Sequence, residues 1–319
     1  MKILDPGATA RALEWPALVA AVEATIHDSN AGQASAPPRV SLPLGDDAVW
    51  LLMPALSRRA DLAACKLITV HASNPQRGLP TIQGDILAIR ASTGERIALL
   101  DGPTVTARRT AAVTALAIRQ IREARATPAG PGTTCLIIGC GVQGRSHLEA
   151  LAALFPGTRF LLSSRTAASA QKLAAVASAR GIPAETVADP DPVLAQADIV
   201  VTCTNAEQEC VRKLPRDGTI IAAIGSFKPA MSELAPEVMR AIGRNILLDS
   251  SDAGHEAGEL IQNRVDVEGL PTLFSGGAQA LPAVGKTVLF KSCGNALWDL
   301  AAVQAASAAP STAPSTARS

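Results

Sequence analysis

Tyrosine is absent from this chain of 319 residues, and aromatic residues make up only 3% of it. Its interior must be packed by Ala, Leu, Val and Ile, which fall within a hydrophobic share of 48%. That share supports sizeable cores, and the length favours two domains over one. An excess of either charge is also lacking. Lys plus Arg number 29 and Asp plus Glu 28, a net charge of +1, so no basic field points to nucleic acid or an anionic membrane as partner. No stretch approaches the ~20 apolar residues of a membrane span, and Pro6 and Gly7 stand where a secretory leader needs an apolar run. The six cysteines, Cys65, Cys135, Cys140, Cys203, Cys210 and Cys293, make no C-x-x-C pair and have no His at metal-ligand spacing. No metal site is expected, and reduced, structural thiols in a cytoplasmic protein are. The run from His255 to Glu259 is not H-E-x-x-H, and neither G-x-S-x-G nor a P-loop is present.

What is present changes character along the chain. Apolar periodicity predicts an amphipathic helix over residues 10–27, ended by Pro37-Pro38. Residues 40–100 then read as short strands, with turns at Asn74-Pro75, Arg77-Gly78 and Thr93-Gly94. A second long helix is expected over residues 104–125, and PAGPG at residues 128–132 has the composition of a linker. Beyond it strands and helices alternate, beginning with a strand at 134–139 and a helix at 142–154, as a parallel sheet wrapped by helices requires. One more helix is expected at 294–306, and the tail from Ala308 is low in complexity and expected to be disordered. The fold class is therefore α/β: a Rossmann-type doubly wound parallel sheet over residues 128–291. It is joined to a smaller α+β substrate-binding and dimerisation domain over residues 1–127, completed by 292–307.

The apolar strand TCLII runs into Gly139-Cys140-Gly141-Val142-Gln143-Gly144 and then into a helix. A lone G-x-G-x-x-G is weak, but with strand, helix and next strand all in place it points to a dinucleotide. Gly139 permits the tight turn, Gly141 close approach to the pyrophosphate, and Gly144 helix-on-strand packing. The following strand ends at Ser163-Ser164-Arg165-Thr166. An NAD-specific fold usually carries an acid there for the ribose 2′-OH; here no carboxylate repels a 2′-phosphate and Arg165 can pair with one. NADPH is the expected cofactor, with NADH a weaker second.

Arg39, Lys66, Arg108 and Arg109 are cations set beside apolar sequence in the first domain, suited to an anionic substrate group, which Arg can grip bidentately. The blocks CKLITVHASNPQRGLPTIQGDILAIRASTGERIALLDGPTVTARRTAA, LIIGCGVQGRSHLEAL, IAAIGSFKPAMSEL and TVLFKSCGNALWDLAA resemble the ornithine cyclodeaminase/mu-crystallin family, from about Arg39 to Trp298. The family comprises lyases that close ornithine to proline, reductases of cyclic imino acids, a few amino-acid dehydrogenases and crystallin-like binding proteins.

The resemblance implies that Arg39, Lys66 and Arg109 contact a substrate carboxylate and that the Gly cluster, with Val142 and Gln143, holds pyrophosphate. It further implies that Ser164, Arg165 and Thr166 receive a 2′-phosphate, and that the stretch Thr202–Asn205, with Thr202 and Thr204 as its cofactor contacts, passes under the adenosine and nicotinamide ribose. Lys291 and Ser292 would line the nicotinamide side of the cleft, and the first domain would build a homodimer. One position departs from the cyclodeaminase pattern: an Asp serving amine chemistry is replaced by Phe227 in Gly225-Ser226-Phe227-Lys228-Pro229. Phe cannot accept a proton, but it can pack on an apolar ring. The resemblance is therefore strongest to the family's Δ1-pyrroline-2-carboxylate (ketimine) reductases. The expected reactions are Δ1-pyrroline-2-carboxylate to L-proline and Δ1-piperideine-2-carboxylate to L-pipecolate. Lys66 and Asp101 are the candidate proton donors. An amino-acid dehydrogenase acting on a 2-oxo acid and a crystallin-like NADPH-binding protein stand as alternatives, with ornithine cyclodeamination behind them.

Overall fold

Strand alternation separates buried from half-buried faces in the long antiparallel strands, and the first sheet can be followed from it. The structure, a computed structural model, describes residues 1–127, 130–205, 208–283 and 285–309. Among the described residues the strands form two seven-stranded sheets. The first contains β1 (Lys2–Leu4), β2 (Ala34–Ser35), β3 (Val40–Pro43), β4 (Ala48–Ser57), β5 (Leu62–His71), β6 (Ile82–Arg90) and β7 (Arg96–Asp101). β4 to β7 pair antiparallel in sequence order, β1 adds in parallel to β7, and β2 and β3 pair with β4. Along β5, Leu62, Ala64, Lys66 and Ile68 are buried on one face, while Ala63, Cys65 and Leu67 on the other are half-buried. Lys66 is thus the one cation in an apolar row, flanked in register by Met53 and Ile86.

Helices cover that inner face. The expected helix over residues 10–27 is two: α1 (Pro6–Ala12) and α2 (Trp15–Asn30). Leu13 leaves helical geometry at φ −115°, ψ 56°. Pro16 falls in the first turn of α2, where its missing N–H costs nothing. α3 (Gly102–Ala124) begins at Asp101, whose carboxylate accepts from the backbone N–H of Thr104 at 2.8 Å. The last helix, α9 (Ala296–Ala308), returns from the second sheet to pack on β4, β5, α2 and α3. It reaches Ala308, and the remainder of the expected tail, from residue 310, lies outside the described residues. Part of the linker read at 128–132, residues 128 and 129, does too.

The second sheet is parallel throughout, as the alternation required. Its strands are β8 (Thr134–Ile138), β9 (Arg159–Ser163), β10 (Ala184–Thr186), β11 (Ile199–Thr202), β12 (Ile220–Ala223), β13 (Ile246–Leu248) and β14 (Val288–Lys291), in the order β10-β9-β8-β11-β12-β14-β13. β14 has no counterpart in the sequence reading. It is a four-residue, fully buried run slotted between β12 and β13, and so short an apolar run has no periodicity to betray it. The strand order reverses between β8 and β11, which opens a crevice at their carboxyl ends. Helices α4 (Val142–Leu154) and α5 (Ala167–Ser178) follow β8 and β9.

α4 is docked onto α3 by polar contacts. Ser146 donates to the carbonyl of Ala107 at 2.9 Å. His147 is fully buried, and desolvation pulls its pKa to about 4, so the ring is neutral. Nδ1 lies 2.8 Å from the carbonyl of Gln143 and must donate to it, leaving Nε2 to accept from the Thr114 hydroxyl at 3.0 Å. The glycines at the head of α4 differ in what surrounds them. A Cβ on Gly144 would lie 2.0 Å from the carbonyl oxygen of Gly139, whereas one on Gly141 would meet nothing within 4 Å. Gly144→Ala should therefore cost about 1–3 kcal/mol of overpacking, and Gly141→Ala should stay within about 0.5 kcal/mol of the parent. Thermal unfolding of the two variants checks this; equal melting temperatures would contradict the packing.

Candidate active site

The cofactor side is built at the carboxyl ends of the parallel strands. α4 starts at Gly141 with no side-chain cap, Val142 is 71% exposed, and the first internal bond is from the Arg145 N–H to the Gly141 carbonyl. Backbone N–H groups and the helix dipole thus face open space, the condition a pyrophosphate requires. A nicotinamide dinucleotide fits the loop, because at Gly141 no side chain occupies the space before the helix, where a Cβ would meet nothing within 4 Å. The Gln143 side chain turns the other way, with Nε2 3.5 Å from the carbonyl of Thr106 in α3. At the tip of β9, Arg165 and Thr166 are exposed and Ser164 is half-buried. The Thr166 hydroxyl is within 2.8 Å of that of Ser169 and caps α5.

Four other residues assigned to the cleft from sequence turn their polar side-chain atoms to carboxylates. Thr202 is fully buried, and its hydroxyl donates to Glu233 Oε2 at 2.7 Å. Thr204 donates through both its backbone N–H and its hydroxyl to Glu233 Oε1 at 2.7 Å, and the Gly225 N–H completes the set at Oε2. Burial pushes the Glu233 carboxyl above the usual range, while Lys291 and these donors pull it back. Lys291 is fully buried against Glu259, with Nζ 3.2 Å from Oε2. Burial is the strongest single influence on its ammonium and lowers it, but Glu259, Cys293 and Glu233 together raise it above its ordinary value. Glu259 Oε1 in turn accepts the N–H of Glu233 at 3.0 Å. Lys291 is therefore a core ion-pair partner, not a group lining the nicotinamide. Ser292 is buried as well, its hydroxyl donated to Asp249 Oδ2 at 2.7 Å. The reason is of one kind for all four: unanticipated carboxylates beneath the strand ends, Glu233 for Thr202 and Thr204, Glu259 for Lys291 and Asp249 for Ser292, draw these donors inward. Asp101 is corrected likewise, from candidate acid to the cap of α3.

The three cations expected to form a clamp do converge. Lys66 Nζ is 2.9 Å from Asp299 Oδ2, and Arg109 Nε is 3.2 Å from Asp299 Oδ1, with all three side chains buried. Arg39 enters from the segment before β3. Its Nη2 donates to Glu256 Oε2 at 2.7 Å and to the carbonyls of Gly294 at 2.8 Å and Cys293 at 3.3 Å. Gly294, at φ +88°, backs onto Arg109: a Cβ there would lie 2.9 Å from both guanidinium Nη atoms. Its N–H donates to Asp249 Oδ2 at 2.8 Å. Arg39 and Arg109 thus reach the same two-residue stretch, which follows β14 at the carboxyl edge of the sheet. Burial brings the Lys66 ammonium down to about 8 against the opposing pull of Asp299, with Arg109 and Arg39 adding to the decrease. Desolvation also raises the Glu256 carboxyl, and Asp252 and Asp249 add to it, against Arg39.

Phe227 follows β12 and is 42% exposed, which excludes plain core packing. It sits next to Ser226, whose carbonyl is 3.8 Å from Cys293 Sγ, so it borders the stretch that Arg39 grips. Asp299, Glu256, Glu233 and Glu259 all escaped the sequence reading. Asp299 and Glu233 lie within the quoted blocks ALWDLAA and AMSEL, but as single acids in apolar surroundings, which is the one signal they give.

Residues 8–308 match the model of the ornithine cyclodeaminase/mu-crystallin family. The chain belongs to that family. It is 39% identical over 307 residues to the Δ1-pyrroline-2-carboxylate/Δ1-piperideine-2-carboxylate reductase of Azospirillum brasilense, covering 95% of this chain and 94% of that one. It is 38% identical over 310 residues to Δ1-pyrroline-2-carboxylate reductase 1 of Burkholderia multivorans, with the same coverage. Among solved structures it is similar to Thermococcus litoralis Δ1-pyrroline-2-carboxylate reductase in complex with NADH and L-proline. The TM-score is 0.84 at 24% identity, with 96% of each chain covered; at that identity the likeness is one of fold.

The reassignment of Lys291 has a measurable consequence. Lys291→Met should remove the partner of a fully buried carboxylate and cost about 3–5 kcal/mol, read by urea unfolding. A stability equal to the parent's would return Lys291 to the cleft.

Proposed function

We propose that the chain is an oxidoreductase acting on C–N bonds that reduces cyclic imino acids, Δ1-pyrroline-2-carboxylate to L-proline and Δ1-piperideine-2-carboxylate to L-pipecolate, with NADPH preferred over NADH. The observation that carries this reading is that Arg39 and Arg109 meet at the stretch after β14 while Lys66 shares Asp299 with Arg109, beside the carboxyl edge of a sheet whose glycine loop fits a dinucleotide. The names of the Azospirillum and Burkholderia relatives agree with it. Bound at that edge, a reduced nicotinamide supplies hydride. The protein's part is to hold and orient the other reactant. Arg39, Lys66 and Arg109 grip the carboxylate, so the adjacent C=N carbon is presented in one orientation. Phe227 forms an apolar wall beside the ring and keeps water from the imine. Lys66, near pH 8, is poised to hold or yield a proton at its Nζ.

The division of labour follows the two sheets. Residues 1–127 with 292–307 form the substrate and dimerisation domain and 128–291 the dinucleotide domain. Preference for NADPH is supported by the tip of β9, where Arg165 is exposed and no carboxylate stands among Ser163, Ser164, Arg165 and Thr166. A cytoplasmic setting is part of this reading, supported by cysteines carried as free thiols.

The test of the activity sets NADPH oxidation with Δ1-pyrroline-2-carboxylate beside ammonia release from L-ornithine with NAD⁺. Imine turnover without ammonia is expected, since Phe227 cannot manage the protons of an attacking amine; comparable ornithine turnover would refute the reading. Arg165→Ala should weaken NADPH by roughly 10- to 100-fold, the loss of one charge-assisted contact, and leave NADH little changed. Equal losses for both would free Arg165 of that role.

The outer face of the first sheet supports a homodimer. Leu52, Leu56, Leu67, Leu87 and Ile89 point away from the helices and are only half-buried, while Val40, Leu42 and Trp50 at the β3–β4 edge are exposed. A groove of about 350 Å³ lies on the same face, lined by Pro54, Leu56, Ala63, Cys65, Leu87 and Ile89. A second copy of the chain would remove this apolar surface from water. Sedimentation equilibrium should give a dimer for the parent and a folded monomer for Leu67→Arg with Leu87→Arg; an unchanged mass in the double variant would place the interface elsewhere.

A further inference from the structure

We propose that Asp299 is the positioning residue of the clamp, aiming Lys66 and Arg109 at the substrate carboxylate and keeping Lys66 in its charged, proton-donating form. This rests on the imine-reductase reading. Its geometry is set by three elements. Lys66 comes from the inner face of β5, Arg109 from the buried face of α3 and Asp299 from α9, and each carboxylate oxygen takes one cation, at 2.9 Å and 3.2 Å. Because Arg109 is held through Nε, its two Nη groups project past the carboxylate toward Gly294. The same stretch is gripped from the other side by Arg39. One buried acid therefore fixes the direction in which two of the three cations point.

The same contact decides the charge of Lys66. The charged groups facing it are Asp299 from α9, Arg109 from α3 and Arg39 from the segment before β3; its strand neighbours Met53 and Ile86 are apolar. Burial and both arginines favour the neutral amine, and only Asp299 opposes them. Without that carboxylate the amine would lose its proton at a lower pH, and in its neutral form it would neither bind a carboxylate as a cation nor donate a proton. The balance of the reaction needs that proton. The C=N carbon gains hydride and the nitrogen gains one proton, giving the secondary amine, and Lys66 Nζ–H⁺ can supply it and be recharged by solvent.

Asp299→Asn keeps the shape of the side chain and removes its charge. With NADPH bound, kcat/KM for Δ1-pyrroline-2-carboxylate should be followed from pH 6 to pH 9.5. An opposite charge at this range is worth about one pKa unit or more. The alkaline limb should move to lower pH by at least about that amount, and at about pH 8 the protonated share of Lys66 should fall from about a half to about a tenth, a roughly fivefold loss. At pH 6 the loss should be smaller. A parent-like alkaline limb in the folded variant would overturn the proposal. Pyrrole-2-carboxylate, a planar carboxylate that takes no hydride, gives a binding readout on the same holoenzyme, and its affinity should shift over the same pH range. If the parent itself failed to oxidise NADPH with the imine, the functional reading would fall, while this binding measurement would still judge Asp299. Should the Asn variant not fold, Asp299→Glu decides: a parent-like limb with a raised KM supports positioning by this carboxylate. A parent-like KM, or a displaced limb despite the retained charge, overturns it.

Discussion

Two cations and one carboxylate share a layer that is otherwise apolar, and the partial compensation of the two positive charges by the one negative is the condition on which the proposed clamp rests. Lys66 and Arg109 could not each be buried alone, because the desolvation of an unpaired ion exceeds what any neighbouring aliphatic contact returns. Asp299, between them at 2.9 and 3.2 Å, lets both stay charged where water does not screen them. A buried ion triad is weak evidence for stability in itself. Its significance here is directional: β5, α3 and α9 meet at one carboxylate, so the register of the first sheet and the lie of both helices are tied to the placement of the cations.

A second buried carboxylate performs the same service for the dinucleotide sheet. Glu233 collects donors from Thr202, Thr204 and Gly225, and through Glu259 it is linked to Lys291. The ends of β11, β12 and β14 are held level by this network, at the edge where the doubly wound fold places its ligands. The two halves are also joined mechanically, since α4, which begins at the glycine loop, is bonded to α3, which carries Arg109. His147 within that joint is neutral down to about pH 4, so acidification across the usual range does not add a charge there.

Legibility in the sequence followed the range of the interactions involved. The glycine loop and the strand–helix alternation are local and could be read directly. The clamp cations were recognisable because each departs from an apolar context, as Lys66 does within Leu62, Ala64 and Ile68. Their partners were not: Asp299 lies 190 residues from Arg109, and nothing in ALWDLAA says which cation it will meet. The inward bonds of Thr202, Thr204, Lys291 and Ser292 went unread for the same reason. Each is a polar residue at a strand end, where ligand contact and an inward hydrogen bond leave the same trace in sequence. β14 was hidden by its brevity, and the break between α1 and α2 by apolar spacing that continues across Leu13.

The route of the chain has a consequence for how the protein can be made. Lys66 and Arg109 leave the ribosome early, but the acid that pairs with both is in α9, after the whole parallel sheet. Until residue 299 has emerged, the first sheet and α3 would have to bury two uncompensated cations, and the inner face lacks the helix that covers β4 and β5. During synthesis, therefore, the dinucleotide unit can close before the N-terminal unit does, reversing the usual order in which the leading domain folds first. The N-terminal half would be completed last, by a helix folding back across the finished sheet.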